Sequence, residues 1–292
     1  MKKPFFLSLL LFFALLCLSG FFALIKYRDN IRQNRQSAKA AEISLTLLEG
    51  WSVADIDEYL VKKDVSKKGQ FVQAQKNFDA YPYSILSFRP KKADLEGFLF
   101  PDTYQIYDPK TQKNTGSSLV DTNTQLIVKM LDNFQNKFTP QMREQAAKQK
   151  MSVYEIVTLA SIIEKETGRA GVGEKVTGEL SDERKVVAGI FYNRLKTGQP
   201  LQSDATINYI TEKKSPSVSA ADLAIDSPYN TYKYAGLPLG PIANPSLSSI
   251  VAALYPQTTD YQYFLTDPVT HKAIFAKTYG EHLKNKAKYL KN

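Results

Sequence analysis

The chain has 292 residues, a formal net charge of +9 and ordinary fractions of hydrophobic and charged residues. This excludes wholesale disorder and leaves room for one large or two modest domains with a real core. Much of the positive excess is local, because Lys2, Lys3, Lys26, Arg28, Arg32 and Arg35 flank one apolar segment; no nucleic-acid-binding signature accompanies it, so no nucleic acid is expected as a partner.

After a short basic segment (1–4), residues 5–25 carry no charge, and at ~1.5 Å per helical residue they span roughly the ~30 Å bilayer core. The rival reading, a cleaved signal peptide, lacks a small-x-small site at Phe21 and Ala23, so an uncleaved transmembrane anchor is expected. Basic residues on both sides leave its orientation open. The only cysteine, Cys17, lies inside this segment, and a cysteine-free remainder fits an oxidising exterior. Residues 26–41, polar and basic, read as a juxtamembrane stalk. Residues 43–48 then alternate as a strand does, Glu49-Gly50 makes a turn, and Ser52 caps a helix through Val53, Ile56 and Leu60. Strand, turn and helix in this order resemble a small LysM-like glycan-binding unit, or simply a small α+β subdomain.

An aromatic turn-and-strand element follows at 95–105, a loop at 108–118, and helices at 120–136 and 140–149. The segment 152–168 is the most informative. Ser152 and Glu155 have capping-box spacing, Gly168 is a natural stop, and Val153, Ile156, Val157, Ala160 and Ile163 trace one face. At ~100° per residue, Glu164 falls within about 20° of Val153 and Val157, whereas Glu166 lies about 200° away and should face solvent. A carboxyl held against apolar walls resists ionisation, which suits a general acid; the bland alternative is a stripe leaving the core at its end. A second helix begins at Ser181-Asp-Glu-Arg, with Val187, Ile190, Phe191 and Leu195 as its apolar face. Asn193 and Arg194 lie near that face, where they either line the same cleft as Glu164 or, for Arg194, form a structural ion pair. Residues 213–221 and 228–245 read as loops. His271 and His282, the only histidines, lack metal-ligand spacing, and there is neither a Gly-x-Ser-x-Gly elbow nor a phosphate-binding loop.

Leu159-Ala-Ser-Ile-Ile-Glu-Lys-Glu-Thr167 resembles the signature helix of the endolytic murein transglycosylases, the MltG/YceG-like family. Further matches stand in order: Leu95 to Tyr104 upstream; then Phe191-Tyr-Asn-Arg-Leu195, Leu201-Gln-Ser-Asp204, Ser227-Pro-Tyr-Asn-Thr-Tyr232, Gly236-Leu-Pro238, Gly240-Pro-Ile242, Asn244-Pro245, Tyr263-Phe264 and Glu281-His282. Leu239, Leu283 and the length of the 168–180 loop depart from the usual pattern.

The resemblance implies an α+β protein: a single-pass inner-membrane anchor, a LysM-like subdomain with its connection (42–106) and a catalytic domain (107–292) facing the periplasm or cell exterior. It also implies a lytic transglycosylase of peptidoglycan with Glu164 as the one general acid/base, leaving 1,6-anhydro-N-acetylmuramic acid ends and terminating strand elongation. Intramolecular attack by the sugar's own C6 hydroxyl removes the need for the second carboxylate of ordinary glycosidases. By position in the motifs, Gln202, Ser203, Asp204, Tyr229, Asn230, Thr231 and Tyr232 join Asn193 and Arg194 as candidates for the glycan groove, with Asn230 and Thr231 equally suited to holding their loop together. No metal or organic cofactor is implied; glycan strands are the expected partner, and peptidoglycan synthases a further one. The rivals are a hydrolytic muramidase and a non-catalytic glycan-binding scaffold.

Overall fold

A computed structural model describes residues 26, 42–78, 83–91, 93–112, 121–167, 178–213, 218–270 and 272–290. The expected anchor at 5–25 and nearly all of the stalk lie outside them. No helix among the described residues is long and apolar enough to cross a membrane. The chain divides into two compact units, one of residues 1–43 and 107–119, the other of 44–106 and 120–292. The larger unit, a mixed α+β structure, carries everything that follows except the ends of its first sheet and the helical turn at 109–112.

Strand β1 (Glu42–Thr46) pairs with β2 (Thr103–Tyr107), and two helices stand between them in the chain, α1 (Val53–Lys62) and α2 (Gln70–Lys76). Leu45 of β1 and Tyr104 and Ile106 of β2 turn inward while their neighbours face out, the alternation of a one-sided sheet. The α1 cap is a full box: Ser52 accepts from Asp55 N–H, and the Asp55 carboxylate accepts from Ser52 N–H. Buried Asp57 accepts from Gly69 N–H at 2.8 Å and Phe71 N–H at 3.2 Å, fastening the start of α2 to α1. The loop expected at 108–118 begins instead with a helical turn, α3 (Pro109–Gln112).

Helices α4 (Thr122–Lys137) and α5 (Pro140–Lys148) fall within two residues of the expected ranges; Asp121 and Thr139 cap them, and Pro140 sits at the first helical turn. Phe98, from the turn before β2, packs on Phe134 of α4 with ring centroids 5.2 Å apart.

Helix α6 (Val153–Thr167) is the axis of the fold, opened by the expected Ser152–Glu155 box. Thr158 to Glu164 are buried without a break, so the expected one-sided stripe is only part of the truth. The reason is cover on both sides: α7 (Gly178–Thr197) packs on one flank and α10 (Leu247–Leu254) on another. Ile156, Val157, Leu159, Ile162 and Ile163 are all fully buried, each contributing roughly 1.5–3 kcal/mol. Between α7 and α10 come the short helices α8 (Asp204–Thr211) and α9 (Ala220–Leu223); α9 occupies part of the stretch read as loop. The antiparallel hairpin of β3 (Tyr263–Thr266) and β4 (Ala273–Ala276) and helix α11 (Tyr279–Tyr289) close the chain.

Candidate active site

Glu164 is 2% exposed and has a specific set of partners. Its Oε2 accepts from Ser246 N–H at 3.0 Å, Ser246 Oγ at 2.5 Å and Ser249 Oγ at 2.7 Å. Ser246 is also the N-cap of α10. The carboxyl therefore sits at a helix N-terminus, where free N–H groups and the helix dipole favour negative charge. On the other side, Arg184 Nη2 of α7 lies 3.7 Å from Glu164 Oε1, and Arg184 is itself 1% exposed. The expected apolar surroundings are thus half of the picture. Burial works against the charge, while the guanidinium, the helix end and the donors work for it.

The turn Glu49–Gly50, ahead of α1, lies directly on this carboxyl. Gly50 has φ +74°, and a Cβ there would stand 3.5 Å from Glu164 Cγ. Lys165 Nζ donates to Gly50 carbonyl at 3.3 Å. Glu49 is exposed at the cleft wall. Its carboxyl is held above the ordinary range, first by loss of water and next by the Glu164 charge, with the Arg184 cation opposing.

Asn244 locks this turn in place. Its backbone accepts from Gly50 N–H at 2.9 Å and donates to Trp51 carbonyl at 2.8 Å. Its side-chain oxygen accepts from Gly97 and Leu99 N–H, and its amide donates to Trp51 carbonyl and Glu96 Oε1. Glu96 is buried, accepts from Val53 N–H at the start of α1, and is pushed up to about 8 chiefly by loss of water.

Glu164, Glu49 and Glu96 open on a cleft of roughly 2260 Å³ lined also by Trp51, Glu166, Arg194, Gln202, Asp204, Tyr209, Tyr229, Tyr232, Tyr263 and His282. That is more than twice the roughly 1,000 Å³ upper range of small-molecule pockets, and suits a segment of polymer.

The sequence-predicted groove residues separate into two sets. Arg194, Gln202, Asp204, Tyr229 and Tyr232 line the cleft. Tyr232 donates its hydroxyl to Asp204 at 2.5 Å, and burial, then that bond, raises its pKa, so it remains a phenol able to donate. Asn193, Ser203, Asn230 and Thr231 do not line it and are engaged internally. Asn193 donates to Thr259 carbonyl, and Ser203 Oγ to Glu166. Asn230 bridges Leu223 and Ile225 carbonyls, and Thr231 Oγ1 accepts from Ser203 N–H. Arg194 does not pair with Glu164; it is buried and donates to Leu201 and Gln262 carbonyls. Glu166, expected in solvent, is half-buried and accepts from Ser203 at 2.5 Å. The residues entering α8 fold over the end of α6 and cover a position that the helical wheel leaves open.

Residues 23–288 match the profile of the YceG-like family. The chain belongs to the YceG-like family. Its relatives include an endolytic murein transglycosylase of Bacillus subtilis (strain 168), 36% identical over 285 residues, covering 93% of this chain and 73% of that protein. Another is the endolytic murein transglycosylase of Streptococcus pneumoniae serotype 2 (strain D39 / NCTC 7466), 34% identical over 201 residues, covering 67% of this chain and 32% of that longer protein. The crystal structure of a putative yceG-like protein from Listeria monocytogenes superposes with a TM-score of 0.67 at 33% identity, covering 88% of this chain and 80% of that one.

In this YceG-like chain, sequence reasoning missed Glu49, Arg184, Ser246 and Ser249 as neighbours of Glu164. One of them carried a signal. At ~100° per residue, Arg184 falls within about 20° of Phe191 on its helix, the same test that singles out Glu164. The other three lie in a turn and at a helix cap, where no periodicity operates.

Proposed function

We propose that this YceG-like protein is an endolytic lytic transglycosylase that cleaves the bond between N-acetylmuramic acid and N-acetylglucosamine within nascent peptidoglycan, with Glu164 as its general acid/base. As an enzyme of the peptidoglycan lytic transglycosylase class it is a carbon–oxygen lyase. The observation that carries the proposal is the Glu164 carboxyl, buried against a polymer-sized cleft and held by Arg184 and the α10 N-terminus.

Glu164 gives a proton to the leaving glycosidic oxygen and takes one from the C6 hydroxyl as that oxygen closes on C1 of the same sugar. The bond to the leaving oxygen breaks, the O6–C1 bond forms, and a 1,6-anhydro end remains. No water is consumed, and the proton count on Glu164 is restored. Tyr229, Tyr232, Gln202, Asp204 and Arg194 present sugar-sized rings and hydrogen-bonding groups along the cleft.

The same proposal includes the expected anchor at 5–25 in the cytoplasmic membrane, with the catalytic domain (107–292) facing outward and meeting peptidoglycan synthases as strands emerge. The β1–α1–α2–β2 order, with its strands paired, supports reading 42–106 as a LysM-like glycan-binding unit. Glu164→Gln tests enzyme against scaffold: it should retain binding to glycan strands in a pull-down and release no fragments. Fragment release at the wild-type rate by this variant would sink the assignment of Glu164.

A further inference from the structure

A carboxylate that must begin its cycle protonated is, in this structure, surrounded by groups that favour its charge. Facing Glu164 are Arg184 from α7, Ser246 and Ser249 from α10, and the Glu49–Gly50 turn; Lys165 is its neighbour on α6. Of these, Glu49 alone brings negative charge. Its position is fixed by the backbone: Gly50 adopts φ +74° and packs on Glu164 Cγ, and the turn is held from both sides by Asn244 and Lys165.

We propose that Glu49 is a second functional carboxylate of the site, whose charge offsets the Arg184 cation and lets Glu164 carry the proton it delivers. It acts through Glu164 and is a positioning residue in the electrostatic sense. The inference rests on the transglycosylase reading for the chemistry and on the Glu49–Glu164 juxtaposition for itself. Two carboxyls at one site do not both ionise freely. The turn that carries Glu49 packs on Glu164, and the Glu49 carboxyl is held above its ordinary range first by loss of water and next by the Glu164 charge, with Arg184 opposing.

The test is the pH profile of kcat/KM for full-length protein in detergent, acting on un-crosslinked glycan strands, for the wild type, Glu49→Gln and Glu49→Asp. With the charge removed, Glu49→Gln should shift the basic limb down by about one pH unit, which is about a tenfold loss at neutral pH. It should regain wild-type rate on the acidic side of that limb. Glu49→Asp, which keeps the charge, should stay close to wild type, and strand binding by all three should be equal. A profile unmoved in Glu49→Gln, or one lowered by the same factor at every pH, would overturn the inference. Product analysis keeps the two claims apart. If the wild type releases reducing ends, the transglycosylase reading fails, while a shifted limb in Glu49→Gln would still support Glu49 in its role.

Discussion

At the residue scale, Glu164 and Arg184 are the costliest groups to separate. Removing one partner of a buried ion pair strands the other charge in low dielectric, at about 3–5 kcal/mol. Glu164→Gln is therefore expected to cost stability as well as the proposed cleavage. It should remain folded but unfold at lower urea, and adding Arg184→Gln should recover part of the loss. A double-mutant cycle in urea reads this coupling, and strictly additive losses would mean that the pair is not coupled.

Glu96 makes the opposite kind of prediction. Its carboxyl titrates at about 8 in the folded protein, against an ordinary value of 4.5. The folded state then holds a proton that the unfolded state has released. Stability is full below the ordinary value and falls as pH rises towards 8, with a slope of at most about 1.4 kcal/mol per pH unit. Urea midpoints from pH 5 to 9 should show this decline, and Glu96→Gln should flatten it. An equal decline in the variant would place its origin elsewhere. The isolation of Glu164 on its helix was readable from spacing alone, because a wheel reports which residues share a face. The wheel failed for Glu166, since it cannot show what another segment lays over a helix.

At the scale of elements, Asn244 is the joint on which the cleft depends. It satisfies backbone groups of the Gly50–Trp51 turn and of the Gly97–Leu99 turn together with Glu96. Asn244→Ala leaves several of these buried groups without partners, at roughly 1–3 kcal/mol each, so its urea midpoint should fall far more than that of Asn193→Ala, which loses a single part-buried bond. Gly97 is equally constrained: it sits at φ +87°, and a Cβ would stand 2.6 Å from Pro241. The helices α1 and α4 to α6 were legible because each combines an apolar period with a cap, whereas α7 was legible from its apolar face and begins at Gly178, three residues before the expected Ser181. The helices α8 and α10 were not, being eight residues each and too short for a period to establish itself.

At the scale of the whole molecule, the site is made by contacts that sequence spacing does not encode. Ser246 reaches Glu164 across 82 positions, and Glu49 arrives from the turn before α1. The division between cleft-lining tyrosines and buried Asn230 and Thr231 also belongs to this scale, since all stand side by side in one motif and only the loop's path over α8 separates them. Chemistry on a polymer needs both features seen in the structure, an open cleft and a guarded carboxyl at its foot.

The most direct test of the central claim is mass spectrometry of the products formed when the full-length protein, in detergent, meets un-crosslinked glycan strands. Internal fragments ending in 1,6-anhydro-N-acetylmuramic acid are expected, and they should be absent with Glu164→Gln. Reducing ends that have gained water, or anhydro products undiminished in Glu164→Gln, would contradict the claim.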